Sequence, residues 1–216
     1  MPHGTGLVEH DALKDLHREE LEAAIIQQRE FFADRDQAFD WLVYDDHPLL
    51  AEQLRAAGLH PFAQEIVMAG EAIVMAVAPR LLEGVQLRQV DTATDVARVR
   101  DMCADIAGAE VFDSTGLTDS TAVVVAEIGN DIVAAGSVQF HGGTDFASLT
   151  SSATLPRWRR LGLYRAIASR RAAVALGRGH QYVHAHCPTE AASALTGIGM
   201  VPIATVTRYR WTPAEG

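Results

Sequence analysis

Cysteine is scarce. Cys103 and Cys187 are the two in 216 residues, and their wide separation fits neither a disulfide framework nor a metal-type spacing. Both thiols read as buried small hydrophobes, which suits a reducing cytoplasm. Long apolar runs are missing too. Ile66–Val77 and Thr121–Ile128 are interrupted or far shorter than a membrane span, so no membrane segment is expected. No basic segment leads into an apolar one near Met1, so no secretion signal is expected. Neither the GxxxxGKS/T phosphate loop nor GxGxxG occurs, which tells against a nucleotide-binding protein built on either. Positive charge is in deficit, and a formal net charge of −10 argues against a general nucleic-acid binder. What remains, 48% hydrophobic and 21% charged residues, is the composition of a well-packed globule of one large or two small domains.

The charge deficit is uneven. Residues 1–84 carry 16 acidic and 6 basic side chains, a balance of −10, whereas residues 85–216 carry 12 of each. Within the neutral part, Leu155–Gly179 (LPRWRRLGLYRAIASRRAAVALGRG) holds seven arginines and no acidic residue. Gly162 follows Arg159 and Arg160 at the head of an apolar-periodic run. Backbone N–H groups at a helix start lack intrahelical partners, the macrodipole adds partial positive charge, and glycine lets a bulky anion approach. The stretch is therefore a candidate phosphate site, with Arg159, Arg160 and Gly162 at its centre. Arg165, Arg170, Arg171 and Arg178 are assigned to the blander alternative, a solvated basic helix face.

Periodicity orders the rest. Asp11–Asp34 reads as an amphipathic helix, Phe39–Tyr44 as a strand, and Pro48–Ala57 as a helix stopped by Gly58. Glu65–Val77 reads as one strand with a turn near Ala69-Gly70-Glu71, and Ala78–Gly84 as a linker. Val85–Val90 is a predicted strand and Thr92–Ala107 a predicted helix capped by Thr92 or Thr94. Thr121–Ile128, Ile132–Phe140 and Phe146–Thr154 form a predicted meander with turns at Gly129-Asn130-Asp131 and Gly142-Gly143. A helix from about Arg159 to Leu176, a strand Tyr182–Cys187, a short helix Thr189–Thr196 and a last strand Ile203–Trp211 follow. This order predicts an α/β (α+β) protein: a mixed, mostly antiparallel central sheet flanked by helices. Trp41-Leu-Val-Tyr, Pro48 and LRAAGLHP are echoed by Tyr182-Val-His-Ala, Pro188 and ALTGIGMVP, aligning Gly58 with Gly199. The echo reads equally as repeated architecture or as two unrelated strand–helix–glycine–strand segments.

Arg159-Arg160-Leu161-Gly162-Leu163-Tyr164, after a strand and before a helix, resembles the acyl-CoA-binding loop of the GCN5-related N-acetyltransferases (GNAT). Arg159 and Gly162 match that loop, while Tyr164 replaces its final small residue. The phrases ATLPRWRRLGLYRAI and GIGMVPI, and the element order over residues 85–213, resemble the family as well. The resemblance implies a GNAT fold, with an acetyltransferase domain at 85–216 and a reduced, degenerate GNAT-like lobe at 1–84. It implies an acetyl-CoA-dependent N-acetyltransferase acting on the amine of a small molecule or peptide, while the cysteine usage, charge, short apolar runs and scattered histidines lead to the expectation of a cytoplasmic protein without nucleic acid, membrane or metal. A homodimer is carried as an open expectation. Ala153, Thr154 and Leu155 on a splayed strand would contact the pantetheine arm and thioester. Arg159, Arg160, Leu161, Gly162, Leu163 and Tyr164 would hold the pyrophosphate.

Acetyl transfer needs a neutral amine, a polarised thioester carbonyl and a protonated leaving thiolate. The glutamate that family members often carry on a central strand is missing from Phe146–Leu155, and Leu195 stands where their tyrosine is expected. Glu127, His184 and Tyr164 are the candidate substitutes. Each has a plain alternative: a solvated strand-end carboxylate, a packed histidine sharing a face with His186, and a residue lining the groove. His141 reads as exposed beside its Gly-Gly turn, and Cys187 as a buried small residue. The missing pair also motivates a rival, a catalytically silent acyl-CoA-binding or regulatory module.

Overall fold

A computed structural model describes residues 5–9, 16–45, 47–104, 106 and 118–213. Its elements run β1 (Gly6–Val8), α1 (Arg18–Ala33), β2 (Phe39–Tyr44), α2 (Pro48–Ala56), β3 (His60–Glu71), α3 (Ala72–Met75), β4 (Val85–Gln89) and α4 (Ala93–Ala104). Then come β5 (Thr121–Ile128), β6 (Asp131–Phe140), β7 (Phe146–Thr154), α5 (Leu163–Gly177), β8 (Tyr182–Cys187), α6 (Thr189–Thr196) and β9 (Val201–Trp211). The chain divides by compactness into residues 1–66 with 204–216, and residues 67–203. The divisions fall inside β3 and β9, whereas the sequence suggests a boundary after Gly84.

In the first unit β1 lies parallel to β2, and β2 lies antiparallel to β9 from Phe39–Trp211 to Tyr44–Val206. Leu21, Ile25 and Phe32 of α1 and Leu50 and Leu54 of α2 close over Phe39, Trp41, Val43, Leu59 and Tyr209. The described part of α1 begins at Arg18, because the Glu20 carboxylate accepts from the His17 N–H at 2.8 Å and so fixes the helix start. Residues 11–15 of the expected helix lie outside the described residues.

The second unit carries the meander. β4, β5, β6 and β7 pair antiparallel in sequence order, and β8 joins β7 in parallel. α4 covers one face through Val99, Met102 and Cys103 against Val123, Val125 and Ala135. α5 covers the other through Leu163 and Ile167 against Val124, Ala126 and Ala134. The sheet is thus mixed, mostly antiparallel and flanked by helices, as the element order implies.

Three boundaries differ from the sequence reading. The strand expected over Glu65–Val77 ends at Glu71, and Ala72 and Met75 are buried at helical spacing in α3, whose Ala76 N–H donates to Ala72 O. α4 is described to Ala104 and Ile106 already lies outside it, short of the expected Ala107, and the Thr92 hydroxyl, accepting from the Asp95 N–H at 3.1 Å, is its cap. α5 starts at Leu163 rather than near Arg159, because Pro156–Trp158 form a 3-10 turn and Arg160 and Gly162 take left-handed φ values of 62° and 83°. A right-handed helix cannot run through either.

The internal echo is present in the geometry. β2–α2–β3 and β8–α6–β9 share one element order. In each, the residue after the glycine donates back into the helix: Leu59 N–H to Leu54 O at 2.9 Å and Met200 N–H to Leu195 O at 3.2 Å.

Candidate functional site

The site begins with a defect in the sheet. β6 pairs with β7 as Gly136–Ser152 and then Ser137–Thr150, so Ser151 is an extra residue on β7, with a φ of 21°. A bulge leaves carbonyls without ladder partners, and Arg171 of α5 supplies them. The residue is 1% exposed, and its guanidinium donates to Ser137 O at 2.9 Å, Thr150 O at 2.7 Å and Ser152 Oγ at 3.0 Å. Gly136 makes room: a Cβ there would lie 2.7 Å from Ile167 and 2.9 Å from Arg171. Burial lowers the Arg171 pKa to about 10, still far enough above neutrality to keep the group charged.

Beside the bulge the sheet opens. β7 and β8 pair at Phe146–Tyr182, Ala147–Val183 and Ser148–His184, yet β7 runs on to Thr154 and β8 to Cys187. Ser148–His184 is therefore the last rung of the ladder, and the two strands part after it. Pro188 follows β8 and has no N–H to donate. A cavity of about 800 Å³ lies along this part of the unit, lined by Ser152, Ala153 and Thr154 of β7, the loop into α5, and Glu190, Ala191 and Ala194 of α6.

The loop into α5 forms one wall, with Arg159, Arg160, Gly162, Leu163, Tyr164 and Arg165 lining the cavity. Arg159 Nε donates to Thr154 O at 3.1 Å, which ties the loop to the end of β7. A Cβ at Gly162 would meet nothing within 4 Å, so its φ of 83°, not crowding, calls for glycine there. Three arginines face one carboxylate, Glu190, around this cavity. Tyr164 is half-buried, and burial pushes its phenol up, with the Arg171 guanidinium opposing and the Cys187 thiol adding slightly. The phenol is thus a proton donor at neutral pH rather than a base.

At the closed end of the cleft, two imidazoles meet on one hydroxyl. His141 Nε2 lies 2.6 Å and His184 Nε2 2.7 Å from Ser148 Oγ. The same face carries a bond between Ser137 Oγ and Thr150 Oγ1 at 2.9 Å, and His186, whose ring centroid is 6.1 Å from that of His184. His141 is partly buried, not exposed as its glycine-rich turn suggests, because it folds back onto Ser148.

Glu127 sits elsewhere, on the α4 face of β5. Its carboxylate accepts from Arg88 Nε at 2.7 Å and pairs with Arg98 at 3.0 Å. Asp95 completes the cluster, 2.7 Å from Arg88 and 2.8 Å from Arg98. Hydrogen bonding from Arg88 holds the Glu127 carboxyl below its ordinary value, and it holds Asp95 well below the usual carboxylate range. A carboxylate so held is a poor proton acceptor.

The structure thus brings Ala153, Thr154, Arg159, Arg160, Gly162, Leu163 and Tyr164 round one cavity. Leu155 and Leu161 do not line it. Leu155 packs with the α4-side core and its N–H donates to Val133 O, while Leu161 is exposed. The helix-face assignment needs correction at Arg171, while Arg165 and Arg178 are exposed as expected and carry a further role. Arg171 is buried on the bulge, Arg165 lines the cavity, and Arg178 donates to Asp119 O at 2.6 Å while lying over Phe140. Only Arg170 of the four has the exposed surface position alone. Leu195 is fully buried, so the helix residue at the expected tyrosine position serves packing. Among the described residues no group of three or more His, Cys, Asp or Glu is placed to hold a metal ion, and no helix is long and apolar enough to cross a membrane.

This arrangement of splayed strands, arginine-flanked loop and flanking helices is the GNAT fold. The chain superposes on a GCN5-related N-acetyltransferase from Kribbella flavida with a TM-score of 0.73 at 19% identity, covering 93% of this chain and 78% of that one. A GCN5-related N-acetyltransferase from Sphaerobacter thermophilus matches with a TM-score of 0.68 at 16% identity, over 94% and 70% of the two chains. A tandem GNAT protein from the clavulanic acid biosynthesis pathway matches at 0.65 and 11% identity, over 100% and 78%. No protein-family model and no curated protein matches the sequence.

Proposed function

We propose that the protein is an acetyl-CoA-dependent N-acetyltransferase, with an amine of a small molecule or peptide as acceptor. The observation that carries this reading is the parting of β7 and β8 beside a left-handed, arginine-flanked helix start. An anion of two phosphates needs several convergent donors. The N–H groups opening α5, with Arg159 and Arg160 on the same cavity, are suited to supply them. An extended arm can lie against the unpaired part of β7, where Ala153 and Thr154 line the cavity.

His184, at the point where the strands part, is the proposed base that takes the amine proton. Tyr164, kept protonated by burial, is the proposed acid for the departing thiolate. Glu127 is less suited to either role, since Arg88 and Arg98 hold it ionised. The transfer domain is assigned to residues 85–216 and a reduced second lobe to residues 1–84. That assignment draws support from the repeated strand–helix–strand order and from the tandem protein that matches along the whole chain. Two free, buried thiols suit a cytoplasmic location.

The test is acetyl-CoA protection against thermal unfolding, followed by CoA release across an amine panel of polyamines, arginine-like amines and neutral amines at low and high salt. Protection with CoA release supports the enzyme. Protection without release from any amine favours the silent binding module, a rival motivated by the missing strand glutamate and by the buried Leu195. Neither binding nor protection rejects both readings.

A further inference from the structure

We propose that Ser148 couples His141 and His184 into a proton relay at the closed end of the cleft, a deepening that rests on the acetyl-transfer reading. The three groups come from separate pieces of chain: the turn after β6, strand β7 and strand β8. Both ring Nε2 atoms are within 2.7 Å of the hydroxyl of Ser148, a residue 8% exposed. A serine hydroxyl has a single hydrogen, so it donates to one imidazole and accepts from the other. Two neutral rings bonded in this way must therefore be opposite tautomers, one with Nε2–H and one with Nε2 as acceptor. His186 and Tyr182 are further titratable groups beside the pair. His186 is in ring contact with His184, and Tyr182 stacks on Phe146, which itself meets His184 edge-on.

The step balances. The amine nitrogen forms a bond to the thioester carbon, and the C–S bond breaks with its electron pair leaving on sulfur. His184 takes the amine proton. Its Nε2 hydrogen passes to Ser148 Oγ as the serine hydrogen passes to His141 Nε2. The positive charge then sits on His141, one ring farther from the reacting atoms, and His184 is neutral again. Tyr164 protonates the sulfur, and solvent returns the relay's proton to the phenolate. Ser148 and His141 are positioning residues here, acting through His184.

Long-range nitrogen NMR of the histidine side chains in the full-length protein tests the relay directly. At a pH where both rings are neutral, His141 and His184 are expected as opposite tautomers. Ser148→Ala is expected to release that constraint, so that neither ring's tautomer is tied to the other's, and Ser148→Thr to restore it. Like tautomers in the wild type, or tautomers unmoved by Ser148→Ala, overturn the relay. In turnover with an accepted amine, Ser148→Ala is expected to lower kcat about 10-fold or more, with KM for acetyl-CoA unchanged and kcat recovered in Ser148→Thr. Calorimetric titration of wild type with acetyl-CoA separates the two failures. Absent binding rejects the acetyl-transfer reading while the NMR result on the hydroxyl bridge still decides the coupling. Binding with uncoupled rings rejects the relay alone.

Discussion

Two arginine-rich regions of the same unit handle charge in opposite ways. Beside β4 and α4, Arg88 and Arg98 meet Asp95 and Glu127 at 2.7 to 3.0 Å, two cations against two anions. At the start of α5, Arg159, Arg160 and Arg165 line a cavity with Glu190 as the one carboxylate, and Arg171 is buried on backbone carbonyls and a serine. The first region is complete in itself. The second is complete only at Arg171, whose duty is to the sheet, and it keeps a surplus of positive charge at the cavity. A count of arginines does not separate the two; the location of the nearest carboxylates does.

The sharpest way to break the contrast is Arg171→Ala. It removes the donors to Ser137 O and Thr150 O in a buried place, and a loss of about 3 kcal/mol in chemical denaturation is expected, partly recovered in Arg171→Lys. Arg159→Ala combined with Gly162→Asp comes next. Acetyl-CoA affinity is expected to fall about 100-fold or more by calorimetry, through a lost cation and a carboxylate placed in the phosphate nest. The ligand-free double variant is expected to lose about 1 kcal/mol, the cost of a side chain at a left-handed position.

Acid pH probes the other region. Asp95 and Glu127 titrate below their ordinary values of 3.8 and 4.5, so the folded chain binds fewer protons than the unfolded one near those values. Their contribution is present above about pH 4.5 and is lost as pH falls through the folded values. Arg88→Leu is expected to flatten that acid limb in denaturation experiments and to leave acetyl-CoA affinity unchanged. The smallest effect concerns Cys103, whose thiol burial pushes up to about 11. Its reaction with Ellman's reagent at mildly alkaline pH is expected to be slow until the protein unfolds.

Much of this was legible in the chain, for identifiable reasons. The meander announces itself through short, continuous apolar runs bounded by tight turns at Gly129 and Gly142-Gly143. The loop announces itself through local composition, since Arg159, Arg160 and Gly162 are neighbours in sequence. Arg171 hid behind its charge, although the spacing Leu163, Ile167, Arg171, Ala175 places it on the buried stripe of α5 and a strict periodicity reading finds it. Ser148 and His141 were harder. They reach His184 only after β7 and β8 pair across 36 residues, and a register of that kind is set by tertiary packing. Glu127 shows the reverse error: a lone acid in a strand looks uncommitted until Arg88 and Arg98 fold against it.

The bulge at Ser151 also has a kinetic meaning. The extra residue bends β7 and Arg171 clamps it there, which holds the strand off the course that would extend its ladder with β8 past Ser148 and His184. On the proposed reading, acetyl-CoA therefore meets a pre-opened edge, with no ladder to unpeel before it docks. Stopped-flow association with acetyl-CoA is accordingly expected in one phase, its rate rising linearly with ligand concentration instead of levelling off at a slow gating step.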